Sequence, residues 1–245
     1  MAYPIVYLIG NGALLWRTAK AWTVSGVNIH GIYHTNNESL PSFIRPLNIN
    51  IYQISKNNIS MIGLINSSDC VLVSINNPFI LPDLVIQRFS VVFNLHNGDV
   101  RKFRGIAEVC IFAALCINER EYGITLQLLE PGLEVDSGKV LAQKLFPISS
   151  ADTFESLMHR SLKECEELLA ESISIILNSN VGIDVKQFSQ VVYRLQDVDW
   201  IARQASPNDL LRASSLGIFS SLLPGLFNRI NSLNQLEHLL NFNHE

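Results

Sequence analysis

The 245-residue chain lacks any apolar run of the ~20 residues that a bilayer-spanning helix needs, so it is not expected to be a membrane protein. It has no cluster of Lys and Arg. Eighteen basic residues stand against 22 acidic ones, for a net charge of −4, and this argues against a nucleic-acid partner. The amino terminus has no basic n-region and no small-residue cleavage site. Met1-Ala2-Tyr3-Pro4 leads directly into a strand-like run, and we expect no signal peptide. The four cysteines, Cys70, Cys110, Cys116 and Cys165, show no CxxC spacing and sit in apolar surroundings. They read as core thiols of a reducing, cytoplasmic compartment, and no metal site is expected. Internal repeats and low-complexity segments are absent. What remains is a globular composition, 48% hydrophobic and 16% charged, long enough for one large domain with a small appendage.

The chain opens as β-α-β. The run Pro4–Ile9 is followed by a Gly10-Asn11-Gly12 turn, helical spacing at Leu14, Leu15, Ala19 and Trp22, and a second strand over Val27–Tyr33. That order is the signature of a parallel sheet with right-handed crossovers. The turn lacks the third glycine of GxGxxG, and His34 stands where a ribose-binding acid would close the second strand, so a dinucleotide site is disfavoured. Further strands are expected at Ile49–Ile54, Cys70–Ser74, Val91–His96, Gly123–Leu128 and Lys139–Ile148. Helices are expected at Lys56–Asn66, from Pro82 to about Phe89, at Ala107–Cys116, and from a cap at Ser150 or Asp152 to about Leu177. His30, His34 and His159 read as structural. Past a boundary within residues 178–184, Ser206-Pro207-Asn208-Asp209 caps a helix carrying Leu210, Leu211, Leu216 and Phe219. Pro224-Gly225 breaks it, and Leu226, Phe227, Ile230, Leu233 and Leu240 form a last amphipathic helix.

The strand Val91–His96 ends in two polar groups. Period two places Asn94 and His96 on one face, roughly 7 Å apart along the strand. An amide and an imidazole so placed can stabilise an oxyanion and move a proton. Asp136 lies in the loop 131–138, after a strand able to lie beside Val91–His96. From there its carboxylate can orient the imidazole and favour its protonated form. Taken alone, each of these residues is ordinary.

Their ordered set resembles the folate-dependent N-formyltransferases, a family that includes methionyl-tRNA formyltransferase, glycinamide ribonucleotide transformylase and the sugar N-formyltransferases. The resemblance rests on Asn94-Leu95-His96, Phe103-Arg104-Gly105, Ala113, Gly123-Ile124-Thr125 and Asp136-Ser137-Gly138, with Gln143 and Asp152-Thr153 in matching places, and it covers roughly residues 4–178. It implies a Rossmann-like α/β catalytic domain over residues 1–180 with a mostly parallel sheet, and a small, mainly helical extension over 181–245. It also implies transfer of a formyl group from N10-formyltetrahydrofolate, as co-substrate, to a primary amine. Asn94, His96 and Asp136 would be catalytic. Ile80, Leu81, Pro82, Val135 and Asp136 would bind the folate; Asn97, Gly98, Arg104 and Gly105 would bind the acceptor. No metal is required.

The segment Asp197-Val198-Asp199-Trp200 and Leu210-Leu211-Arg212-Ala213 is similar to the linker that follows the catalytic domain in the tRNA and sugar enzymes. Only some thirty residues follow it, and with an acidic chain this favours a nucleotide-linked amino sugar of surface-polysaccharide (O-antigen) synthesis over tRNA. The chain departs from the family after His96, where Asn97-Gly98-Asp99-Val100-Arg101 replaces a Pro-Ser sequence, and at Leu126, where a histidine is expected. Two alternatives stay open: an amino-acid, hydroxyornithine or carrier-bound aminoacyl acceptor, and a non-catalytic folate-fold binding module. The leucine-rich tail is expected to form a homodimer surface.

Overall fold

The computed structural model describes residues 4–35, 40–63, 69–178 and 188–241. Along the chain run β1 (Ile5–Gly10), α1 (Gly12–Val24), β2 (Ile29–His34), β3 (Asn50–Gln53), β4 (Cys70–Ile75), α2 (Asp83–Ile86), β5 (Val91–His96), β6 (Arg104–Gly105), α3 (Ala107–Cys116), β7 (Glu121–Leu129) and β8 (Val140–Pro147). Then follow α4 (Phe154–Glu171), α5 (Ile173–Asn178), β9 (Val192–Tyr193), α6 (Val198–Ala202), α7 (Pro207–Ser214), α8 (Phe219–Leu222) and α9 (Pro224–Asn241). Seven strands form one sheet in the order β3-β2-β1-β4-β5-β7-β8. Pairs β1/β2, β1/β4, β2/β3 and β4/β5 are parallel, and β5/β7 is antiparallel. The fold is the expected α/β architecture, with a helical C-terminal region.

The chain divides into two compact units. The first comprises residues 1–97, 124–144 and 162–186. Its β1, β4 and β5 are near-continuous apolar runs, as strands of a parallel sheet covered on both faces must be. One of its cores joins Tyr7, Ile9, Leu72 and Val92 to Ile54, Ile59, Ile62, Leu81, Val85, Ile86 and Phe89. The second comprises residues 98–123, 145–161 and 187–245. There α3 is apolar on all sides and packs on α6 and α7, while α9 packs on α6 and α8. Arg212 is buried, with Nη1 3.0 Å from both the Ser149 and Ser150 carbonyl oxygens and Nη2 3.0 Å from Asp209 Oδ1. It ties α7 to the turn before α4. The expected division at 180/181 lies outside the described residues.

Several local expectations change. Of the helix expected over 56–66, the described residues 56–63 form a single 3-10 turn, at Ile59–Met61, and residues 64–66 lie outside the described residues. The helix after Pro82 is one turn long, with Pro82 its N-cap residue. The long helix splits at Ser172, where the β-branched residues Ile173, Ile175 and Ile176 weaken helix propensity. Its cap is neither Ser150 nor Asp152. Asp152 is taken by the Ser149 N–H (2.7 Å) and by Arg160 Nη2 (2.7 Å). Thr153 caps instead: Ser156 N–H donates to its Oγ1 at 3.3 Å, and Thr153 N–H donates back to Ser156 Oγ at 3.0 Å. The cap foreseen at Ser206 forms, its Oγ accepting from Asp209 N–H at 3.2 Å, but the helix ends at Ser214, ahead of Leu216 and Phe219. All four cysteines are buried and none forms a disulfide. Among the described residues, no helix is long and apolar enough to cross a membrane.

Candidate active site

The site lies in the first unit, where the carboxyl-terminal end of β5 meets β7. Antiparallel register sets Asn94 opposite Gln127 and His96 opposite Thr125, while parallel register sets Asn94 beside Ser74. Directly paired residues share a face, so this end of the sheet carries a patch of polar side chains inside an apolar core. Ser74, His96, Thr125 and Gln127 are all buried. Polar groups survive there only if hydrogen-bonded.

Asp136 closes the patch. It is 7% exposed and sits in the left-handed region at φ +50°, an unfavourable conformation for a residue with a side chain. Its Oδ1 receives Gln127 Nε2 at 3.0 Å and Asn94 Nδ2 at 3.4 Å. Its Oδ2 lies 3.5 Å from Nδ1 of His96, which is 5% exposed. That separation is the range of an ion pair rather than of a tight hydrogen bond. The loop bearing Asp136 returns onto β7 through Leu128 N–H to Lys139 O (2.8 Å) and Gly138 N–H to Gln127 Oε1 (3.2 Å). Gly138 is obligatory, because a Cβ would stand 1.8 Å from the Leu128 carbonyl oxygen. Gln143 Nε2 donates to Thr125 Oγ1 at 3.4 Å, which extends the polar row onto β8.

Asn94, His96 and Asp136, separated in sequence, are therefore brought together. An amide donor and an imidazole backed by a carboxylate can bind a developing oxyanion and relay a proton. Ile80 (78% exposed), Leu133 and Val135 display apolar side chains, while Leu81 is buried and Pro82 half-buried. Gly132 N–H donates to Asp83 Oδ1 at 3.0 Å, joining the segment of Ile80–Pro82 to that of Leu133–Asp136. Among the described residues, no group of three or more His, Cys, Asp or Glu gathers as it would around a metal ion.

The residues expected to meet the acceptor are placed as follows. Asn97 is half-buried at the end of the first unit. Gly98, Arg104 and Gly105 belong to the second unit. There Arg104 is buried and donates from Nη1 to Ser189 O at 2.6 Å, in a two-residue parallel ladder between β6 and β9. Gly105 has φ +106°, and a Cβ there would stand 2.3 Å from the Tyr193 carbonyl oxygen. Both residues thus have a structural reason to be what they are. In the same unit Asp99, also buried, is chelated by Arg101, whose Nε and Nη2 lie 2.9 and 2.7 Å from its two oxygens.

Sequence reasoning missed Gln127. Leu126, where a histidine was expected, pairs with Leu95 and is wholly buried. The polar position facing Asn94 and Asp136 is the next one along. The signal was there: Thr125 and Gln127 repeat the two-residue spacing of Asn94 and His96.

Residues 62–173 match the family model described as formyl transferase. A methionyl-tRNA formyltransferase of Coxiella burnetii is 29% identical over 147 residues, which is 55% of this chain and 46% of that protein. The chain spans about half the length of the curated relatives it matches. A sugar 3N-formyl transferase, WlaRD, solved with dTDP and 5-N-formyl-THF, aligns with TM-score 0.67 at 20% identity, over 87% of this chain and 80% of that one. Glycinamide ribonucleotide transformylase 1 from Symbiobacterium toebii aligns with TM-score 0.64 at 14% identity, over 78% of this chain and 95% of that one. At these identities the structural likeness is one of fold.

Proposed function

We propose that the chain, whose residues 62–173 match the formyl transferase family model, moves a formyl group from N10-formyltetrahydrofolate to the primary amine of a nucleotide-linked amino sugar. The observation that carries the reading is the convergence of Asn94, His96 and Asp136 within 3.5 Å contacts in a buried polar patch. The folate co-substrate supplies an activated formyl carbon. Asn94 donates its amide N–H to the oxygen on which negative charge grows. His96 meets Asp136 through Nδ1, so its Nε2 is the nitrogen that takes the proton from the attacking amine and returns it to the leaving nitrogen. Asp136 holds the ring in that orientation. Ile80, Leu81, Pro82 and Val135 form the apolar wall against which the pterin lies.

The sugar acceptor is supported by the fold shared with WlaRD, which was solved with dTDP. A net charge of −4 without a cluster of Lys and Arg speaks against tRNA. Exposed Trp200, Leu211, Ile218, Leu222 and Phe227 in the helices α6 to α9 region support a homodimer. A cytoplasmic enzyme without a membrane or nucleic-acid partner fits these features. A second reading keeps the reaction and changes the amine, to an amino acid, a hydroxyornithine or a carrier-bound aminoacyl group. It is favoured by the segment after His96, where Asp99 and Arg101 form their own ion pair.

The test is incubation with N10-formyltetrahydrofolate and a panel of dTDP- and UDP-linked amino sugars, amino acids, aminoacyl thioesters and charged initiator tRNA. Tetrahydrofolate release and formylated product are both measured. Formylation of an amino-sugar nucleotide is expected. Product only with another amine would replace the acceptor, and folate binding without product from any amine would make the chain a binding module.

A further inference from the structure

Gln127 has no place in the chemistry just described, yet both ends of its side chain are engaged in the site. It is 0% exposed and lies in a strand whose neighbours Tyr122, Ile124 and Leu126 are apolar. A buried amide there requires partners for both its ends. Nε2 donates to Asp136 Oδ1 at 3.0 Å, and Oε1 accepts from Gly138 N–H at 3.2 Å. The two contacts fix which way round the amide sits, since a carboxylate oxygen needs a donor and an N–H needs an acceptor. They also bracket Ser137, so one side chain grips the loop at the catalytic carboxylate and again two residues beyond it.

We propose that Gln127 is a positioning residue: it aims the Asp136 carboxylate at His96 by occupying Oδ1, so that Oδ2 is the oxygen turned to the imidazole. Resting on the reading of the site as a formyl-transfer centre, the inference adds a residue that touches neither co-substrate nor acceptor. Two features favour it over a merely structural amide. The first is the backbone of Asp136, held at φ +50°, a conformation that persists only where surrounding contacts over-determine it. The second is the division of labour at the carboxylate. Asn94 and Gln127 share Oδ1 while His96 meets Oδ2, so loss of the Gln127 donor removes the shorter of these contacts and weakens the hold on the carboxylate's rotation about its Cβ–Cγ bond.

Two variants separate the parts. Gln127→Met keeps the volume and removes both contacts. Gln127→Glu keeps an acceptor for Gly138 N–H and replaces the permanent donor to Asp136 with a carboxyl that donates only while it holds a proton. Both are expected to lower kcat by ~10- to 100-fold while KM for N10-formyltetrahydrofolate stays within about twofold, because a displaced carboxylate affects the reacting geometry and not the pterin wall. Crystal structures of the variants are expected to show Asp136 Oδ2 turned away from His96 Nδ1. An unchanged kcat in the folded Gln127→Met variant, or Asp136 still beside His96 in its structure, overturns the proposal. A lowered Tm with kcat intact does so as well. Should the wild-type protein formylate no amine, the functional reading falls, and the crystal structures alone decide whether Gln127 aims the carboxylate.

Discussion

Replacing Gly138 by alanine tests the Asp136 loop at its tightest point. The new Cβ would lie 1.8 Å from the Leu128 carbonyl oxygen, where real Cβ contacts do not fall below 3.0 Å. The loop must therefore part from β7 by about 1.2 Å at that residue. The obstacle is backbone, held in the sheet, so the loop yields rather than the strand. A shift of that size takes Gly138 N–H out of reach of Gln127 Oε1, now 3.2 Å away, and carries Asp136 with it. Displacing a catalytic group by ~1 Å costs on the order of 10²-fold in rate, and overpacking at one methyl costs roughly 1–3 kcal/mol of stability. Gly132→Ala is the control on the same loop: its φ is +80°, but nothing lies within 4 Å of the added Cβ. It carries the strain of a left-handed residue, about 1–2 kcal/mol, without the clash. Steady-state release of tetrahydrofolate, with the accepted amine saturating, reads the rate; thermal unfolding reads the stability. A Gly138→Ala protein that is folded and turns over as fast as Gly132→Ala would refute the geometry on which the site rests.

His96→Ala and Asp136→Ala are each expected to lower kcat by ~10²–10⁴-fold, the range for loss of general acid–base catalysis, with circular dichroism unchanged; near-normal turnover in either would remove that residue from the chemistry. Glu108, in the first turn of α3, is pushed above its ordinary value of 4.5 by burial. A raised carboxyl destabilises the fold once the unfolded chain ionises, so Glu108→Gln is expected to stabilise by ~1 kcal/mol at neutral pH, with the gain vanishing as pH falls below 4.5. Urea unfolding at several pH values checks the sign. Asp152 behaves oppositely. Burial opposes its ionisation, but the Ser149 N–H, the Arg160 guanidinium and the Ser156 hydroxyl together hold it below its ordinary value of 3.8. Its stabilisation is present above 3.8 and fades as pH falls through the lowered value, so Asp152→Asn is expected to cost ~1.5 kcal/mol at neutral pH and progressively less in acid. A pH-independent penalty would contradict the assignment.

Much of this molecule is written in short-range pattern. The β-α-β opening, the apolar runs of β4 and β5, the helix Ala107–Cys116 and the Ser206 cap follow from periodicity, residue type and capping chemistry, which act over a few residues. Asn94 and His96 share a face because successive strand residues alternate, a rule that needs no tertiary contact. Asp136 was a candidate from its place after β7, but only resemblance to a family set it apart, since nothing local distinguishes a loop aspartate that meets a histidine from one that meets water. Tertiary structure decided the rest. Register between β5 and β7 sets Gln127, and not Leu126, opposite Asn94. The Ser149 N–H and the Arg160 and Ser156 side chains take up the Asp152 carboxylate and leave the cap to Thr153. Backbone from Tyr193, 88 residues further along, is what makes a glycine necessary at 105. Propensity and alternation are properties of a chain segment and can be read there. Which oxygen a buried amide grips depends on a partner brought in from elsewhere by the sheet, and that is settled only when the strands pair.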